Sequence, residues 1–392
     1  SVGRALLLKR IGSQVSVISK HAGKRTTGME RSFSSVVDLR SDTVTLPSQG
    51  MLNSVLTAKL GDDVMGEDPT VLELEAYMAD KFGKERGLYV PTGTMANLLA
   101  LLSHCDKTRA AEIIIGTGSH INLWEGGNAA SIGGIHTRQV EEDAESGELD
   151  EDDILDCVRN GFDDHWPITS LLCLENSHNM CGGIAMPKDY FDRMGALAHS
   201  DKMRNVNVHV DGARIFNAAV ALDIDVKDLC ESVDSVSICL SKGLGAPLGS
   251  VLVGESDFIE VAKRARKRCG GGMRQAGVVA AMGLYAVQNN VERLAEDHIR
   301  AKKIGLSLKE NGFYMMRNGE IDTNIVYFGL PETTNLSREG FRTRLSEEYG
   351  VKVTGGYSRG GKLFRIVTHM NVDDEGVDRA IEAMLTLVNT SS

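Results

Sequence analysis

The chain has 392 residues, 42% of them hydrophobic and 25% charged, an ordinary globular balance with length for one large core and a smaller domain. Its formal net charge of −11 argues against a nucleic-acid partner. No apolar run approaches the length of a membrane span, and the seven scattered cysteines form no CxxC pair, disulfide framework or metal-ligand set.

Residues 1–37 carry seven Lys/Arg, seven Ser and a single acid, Glu30. Ala5–Leu8 is a short apolar run beside Lys9 and Arg10. This composition predicts a mitochondrial transit peptide; the alternative is a disordered basic tail on a cytoplasmic protein. Beyond it, short apolar runs alternate with helical stretches such as Asp189–Ala198. Ile113–Ile115, Leu171–Leu174, Val206–Val210, Val236–Leu240 and Ser250–Val253 read as buried strands. The alternation predicts an α/β fold with a mostly parallel sheet covered by helices, and ligands beyond the C-terminal strand ends. Leu284, Val287, Val291 and Leu294 repeat as one face of a long helix would. After it, Asn324–Phe328, Val351–Thr354 and Leu363–Thr368 read as strands of a smaller α+β domain. The expected division is a large domain over 38–295, including an N-terminal arm, and a small domain over 296–392. The acidic stretch Glu141–Asp153 reads as a solvated loop and helix start, and the basic run Lys263–Arg268 as a solvated helix face.

Four segments carry chemistry. The strand Val206–Val210 ends in Asp211, followed by Gly212, Ala213 and Arg214. An acid at a strand end can hold a ligand nitrogen, such as a protonated pyridine; alone, a turn capped by Asp is the commoner reading. The next strand runs into Ser241-Lys242-Gly243, 31 residues after Asp211. A Schiff-base lysine needs partial desolvation, which a buried strand end supplies. Asp at one strand end and Ser-Lys-Gly at the next is far more specific than either alone. Gly93, Thr94 and Met95 stand before an apolar helix, a setting that suits a phosphate, although a plain N-cap would look similar. Finally, His120 follows the Ile113–Ile115 strand, where an imidazole could stack on a flat ring.

These segments, with Asp38–Thr45, Gly61–Thr70 and Gly270–Gln275, resemble the low-specificity L-threonine aldolases, pyridoxal-phosphate (PLP) enzymes of the aspartate aminotransferase superfamily. The resemblance spans nearly the whole chain after residue 37. It implies PLP fold type I with a seven-stranded large-domain sheet, and cleavage of L-threonine and related β-hydroxy-α-amino acids to glycine and an aldehyde. It implies that Lys242 carries PLP, Asp211 pairs with the pyridinium nitrogen, and His120 stacks on the ring. Gly93, Thr94, Met95, Arg214, Ser241 and Arg274 complete the cofactor site, with Arg274 from a neighbouring subunit. Ser41, Arg214 and Arg365 would hold the substrate carboxylate, with Trp124 and Lys267 near the substrate. His165 matches a family histidine near the substrate side chain. The base that takes the β-hydroxyl proton stays open among His120, His165 and a histidine-held water. Met65 replaces a frequent family Tyr, and Trp124 stands where relatives carry another aromatic. The resemblance also implies a homotetramer with shared active sites. The alternatives are another fold-type-I enzyme (a β-eliminating lyase, hydroxymethyltransferase or aminotransferase) and a catalytically inactive scaffold.

Overall fold

The computed structural model describes residues 36–159, 161–356 and 361–390. The basic N-terminal segment expected as a transit peptide lies outside them, apart from its last two residues. The strands, in chain order, are β1 (Val37–Asp38), β2 (Arg86–Val90), β3 (Ala111–Gly116), β4 (His136–Val140), β5 (Ile168–Glu175), β6 (Asn207–Asp211), β7 (Ser235–Cys239), β8 (Ser250–Gly254), β9 (Tyr314–Met315), β10 (Ile325–Gly329), β11 (Val351–Lys352), β12 (Thr354–Gly355) and β13 (Phe364–Val367).

Seven of them form the central sheet in the order β2-β8-β7-β6-β5-β3-β4. Strands β4, β3, β5, β6 and β7 are mutually parallel, whereas β8 runs antiparallel to both β7 and β2. The exception has a simple cause. Only ten residues, Leu240–Gly249, separate β7 from β8, too few for a parallel crossover. Every residue of β3, β7 and β8 is buried, as expected of strands covered on both faces. Sequence periodicity left β2 and β4 unassigned; β4 carries His136, Arg138 and Gln139 and is mostly half-exposed.

The second sheet is antiparallel, in the order β12-β13-β10-β9. It packs with the helices Leu294–Glu310, Arg338–Tyr349 and Asp374–Asn389 around Phe313, Phe328, Phe341 and Phe364. The Phe328 and Phe364 rings stack at 5.2 Å. The start of the N-terminal segment joins this core, whereas the helix Gln49–Thr57 that follows buries Met51 in the large-domain core. β1 pairs in parallel with β11, and Val37 and Leu39 are buried among small-domain residues.

The single long helix expected around 284–294 is two helices, Gly277–Asn289 and Leu294–Glu310. The break falls at Asn290, which is buried and gives its Nδ2 protons to the Leu244 carbonyl at 2.7 Å. The apolar repeat continues through the break because both sides pack inward. The basic run is only partly solvated: Arg266 is buried against Asp63 at 3.0 Å and donates to the Tyr89 carbonyl. The acidic stretch departs from its expectation at Glu142, whose carboxylate caps the Gly118 N–H at 2.7 Å. Within Gly61–Thr70, the conspicuous acids are structural. Buried Asp68 accepts from the N–H groups of Gly61, Thr70, Val71 and Gly277, capping the helix Pro69–Lys81 and tying it to the helix Gly277–Asn289.

Candidate active site

Parallel strands deliver their C-terminal ends to one edge of the sheet. Glu175 ends β5, Asp211 ends β6, and Lys242 follows β7 by three residues. The short helix His120–Leu123 follows β3. A cavity of about 360 Å³ opens there, lined by Arg40, Ser41, Thr43, Val44, His120, Trp124, Asn179, Arg214, Lys242, Thr354 and Arg365. The cavity therefore draws on both sheets and on the N-terminal segment.

Asp211 is 2% exposed. Its Oδ1 accepts from the Ala213 N–H at 3.0 Å and its Oδ2 from Asn97 Nδ2 at 2.8 Å. Asn97 Nδ2 also donates to Glu125 Oε1 at 2.8 Å. His120 Nδ1 lies 3.0 Å from Glu125 Oε1 and 3.9 Å from Asp211 Oδ2, and its backbone N–H donates to Glu175 Oε2. Burial pulls the His120 pKa down, but the Glu125 hydrogen bond and the charges of Asp211 and Glu175 outweigh it, so the net shift is upward. Burial raises Glu125, against the opposing bonds from His120 and Asn97. The pair thus holds a proton more tightly than either group would in water. One ligand atom each from His120, Glu125 and Asp211 lie within 4.8 Å of one another. A cation placed there would face the N–H donors of Asn97, so the arrangement suits an imidazole between carboxylates better than a metal.

The arginines are held differently. Arg214 Nε and Nη2 form a two-pronged bond to Asp42 at 2.8 and 2.6 Å, both side chains buried. Burial opposes the charge on Asp42, but Arg214, Lys242 and Arg365 hold its carboxyl well below the usual range. Burial likewise disfavours the Arg214 cation, and Asp42 more than restores it. One edge of the Arg214 guanidinium is thus committed to Asp42 while the residue still lines the cavity. Arg365 donates to Asn179 Oδ1 at 2.8 Å and to the Arg40 carbonyl at 3.3 Å. Ser41 Oγ caps the short turn Asp42–Val44 through the Thr43 N–H.

Gly93 and Thr94 head the helix Gly93–His104, one turn before Asn97. A Cβ at Gly93 would meet Cys239 Sγ at 2.5 Å, so only glycine lets the backbone approach β7 here. Thr94 and Met95 line a neighbouring groove of about 1030 Å³ that reaches Glu125. Ser241 is half-buried on the turn before Lys242.

Other expected site residues do not line the cavity of their own chain. His165 lies before β5, at the far end of that strand from Glu175, with its side chain 89% exposed and Nδ1 2.6 Å from Asp163. Arg274 is exposed and bonds Asp62 at 2.7 Å. Lys267 and Met65 are exposed near the same Asp62–Glu67 turn. Conversely, Asn97, Glu125, Glu175, Asn179 and Asp42 build the site without having been singled out. Their only sequence signal is position: Asp42 follows Ser41, Glu125 follows Trp124, and Glu175 ends a strand.

The Beta-eliminating lyase family model matches residues 38–330. Low-specificity L-threonine aldolase from Escherichia coli strain K12 is 44% identical over 340 residues, covering 87% of this chain and 96% of the relative. The chain belongs to the low-specificity L-threonine aldolases, within the β-eliminating lyase family. Low-specificity L-threonine aldolase 1 of Arabidopsis thaliana is 40% identical over 360 residues, covering 91% of this chain and 98% of the relative. The fold is shared more widely. A threonine aldolase from Leishmania major superposes with a TM-score of 0.73 at 17% identity, covering 90% of this chain and 99% of that one. An aspartate aminotransferase from Thermotoga maritima gives 0.66 at 13% identity, covering 97% and 96%. The α/β fold with a mostly parallel sheet is thus the one the resemblance implied.

The Asp42–Arg214 pair yields a stability prediction. Asp42→Asn should cost about 3–5 kcal/mol at pH 7, since it leaves a buried guanidinium uncompensated. The sign follows from the depressed Asp42 pKa. The pair stabilises fully above the unfolded value of 3.8 and loses that contribution as pH falls below it. Urea unfolding of both proteins at pH 7 and pH 3 measures this, and the gap should narrow in acid. An equal stability at pH 7 would contradict it.

Proposed function

We propose that the cavity is the active site of a PLP-dependent lyase that splits L-threonine and L-allo-threonine into glycine and acetaldehyde. The supporting observation is the convergence of Lys242, Asp211, His120, Arg214 and Arg365 at one sheet edge. The donor set fits the cofactor. Lys242 offers an amine, Asp211 a buried carboxylate for a ring nitrogen, and the Gly93–Thr94 helix start a seat for a phosphate. Bound through Lys242, PLP would supply an electron sink for the breaking Cα–Cβ bond.

The chain's own residues then have distinct tasks. Arg365, Ser41 and the free edge of Arg214 hold the substrate carboxylate and set the rotation about Cα. Fixing that rotation selects Cα–Cβ over Cα–H for cleavage. His120 donates its Nδ1 proton to Glu125, which leaves Nε2 free to take the β-hydroxyl proton. That proton transfer releases the aldehyde, and Cα regains a proton to give glycine. Trp124, half-exposed at the rim, bounds the side-chain region.

Lys242→Ala should reduce turnover of L-threonine by at least about a thousandfold, as expected for loss of a covalent catalytic group. Coupled assays of glycine and acetaldehyde measure it, and near-normal release of both products would overturn the assignment. Equal release without any keto acid excludes an aminotransferase, which requires one.

We further propose a homotetramer whose neighbouring subunits contribute Arg274, Lys267 and His165. The reading is supported by the exposure of all three away from their own cavity. Light scattering on the purified protein should return a mass near four chains, and a monomer would refute shared sites.

A further inference from the structure

A buried polar stripe runs through the otherwise apolar layer between the central sheet and the helix Gly93–His104. Asn207, His209 and Asp211 alternate along β6, Ser235 and Ser237 along β7, and Asn97 and His104 lie seven residues apart on the helix. Their contacts join end to end. Asn207 Nδ2 lies 3.0 Å from His104 Nδ1, and His104 Nε2 is 2.7 Å from Ser235 Oγ. Ser235 Oγ is 2.9 Å from His209 Nδ1, and His209 Nε2 is 3.2 Å from Asn97 Oδ1. Asn97 Nδ2 ends the series on Asp211 and Glu125.

The direction of every bond follows from one end. A carboxylate oxygen accepts, so the Asn97 amide presents its nitrogen to Asp211 and Glu125 and its oxygen to the other side. That oxygen accepts from Ser237 Oγ at 2.5 Å and from His209 Nε2. His209 is neutral, because burial pushes its pKa down to about 4 against the attraction of Asp211 and a contact with the Ser235 backbone. Nε2 faces the Asn97 oxygen, which can only accept, so the proton sits on Nε2 and the bare Nδ1 accepts from the Ser235 hydroxyl. Ser235 has then spent its one hydrogen, so its oxygen accepts from His104 Nε2. Burial and neighbouring His209 push His104 down to about 3. Its bare Nδ1 accepts from Asn207, which is exposed and finishes the series at solvent.

We propose that this one-way series of donors is a positioning device for Asp211, with Asn97 and His209 as positioning residues that keep its carboxylate aimed at the ring nitrogen of PLP. All dipoles point their hydrogens toward Asp211, and the bonds polarise one another in the same sense. The titratable groups facing the Asp211 end of the series are Glu125 and His120 from the segment after β3 and Cys173 on β5, with Glu175 and Lys242 acting on His120. Neither imidazole titrates near neutral pH, so the device holds its polarity across the working range. The inference rests on the PLP reading for its purpose, but not for its proton positions.

Neutron diffraction of the holoenzyme tests those positions directly. Deuterium should occupy Nε2 of both His209 and His104 and be absent from both Nδ1 atoms. Deuterium on Nδ1 of His209 would reverse the series and overturn the proposal, whether or not the protein binds PLP. Titration of the apoprotein with PLP tests the purpose. His209→Gln keeps a donor to Asn97 and should bind within about threefold of wild type, whereas His209→Phe should bind about tenfold more weakly, the scale of one lost bond to a charged network. In the Phe variant the bound-cofactor absorbance should also change at a different pH from wild type, and the Gln variant should restore it. If the Phe variant does not fold, Ser235→Ala serves in its place, with a weaker PLP complex expected. Unchanged affinity and pH profile in the folded variant would sink the device. A wild-type protein that takes up no PLP would instead refute the cofactor reading and leave the proton positions to stand on the neutron map.

Discussion

The two-pronged bond between Arg214 and Asp42 fastens three parts of the chain at one point. Asp42 comes from the N-terminal segment, Arg214 from the turn after β6, and Asn324, beside β10, approaches Asp42 Oδ2 at 3.4 Å. Thr45 extends the knot by donating to the Asp42 carbonyl, with its hydroxyl also near the Lys242 carbonyl. Removing either charge would strand the other in a medium that solvates it poorly. The pair thus holds the N-terminal segment over the end of the central sheet, and with it Ser41 against the cavity.

The same economy of charge governs the cavity floor. Asp211, Glu125 and Glu175 are buried acids within reach of one imidazole. Crowded carboxylates oppose one another's ionisation, and the structure answers with donors: the Ala213 N–H, both protons of Asn97, the His120 backbone and the Asn179 N–H. The helix Gly93–His104 therefore serves twice. Its start is suited to an anion, and its second turn supplies the amide that separates Asp211 from Glu125.

Much of this was legible from residues alone. Five apolar runs became central strands, because burial on both faces leaves a continuous signal. Asp211 and Lys242 stood out because parallel strands must end at a ligand-facing edge. What the residues alone do not carry is relational. Asn97 sits in an apolar helix, and nothing in its spacing shows that it meets residues 114 and 140 positions away. Asp42 gives no local signal, because its partner lies 172 residues on. The helix break at Asn290 was hidden because a carbonyl of another segment, not a local Gly or Pro, ends the turn. His165, Arg274 and Lys267 were proposed from family resemblance, and their own chain leaves them at the surface.

Lys242 is the proposed point of attachment for the cofactor, on which every other role in the cavity depends. The most direct measurement is borohydride reduction of the PLP-loaded protein, followed by digestion and mass spectrometry of the labelled peptides. Attachment at Lys242 predicts a single reduced adduct on the peptide containing that residue and none elsewhere. An adduct confined to another lysine, or no adduct on protein saturated with PLP, would contradict it.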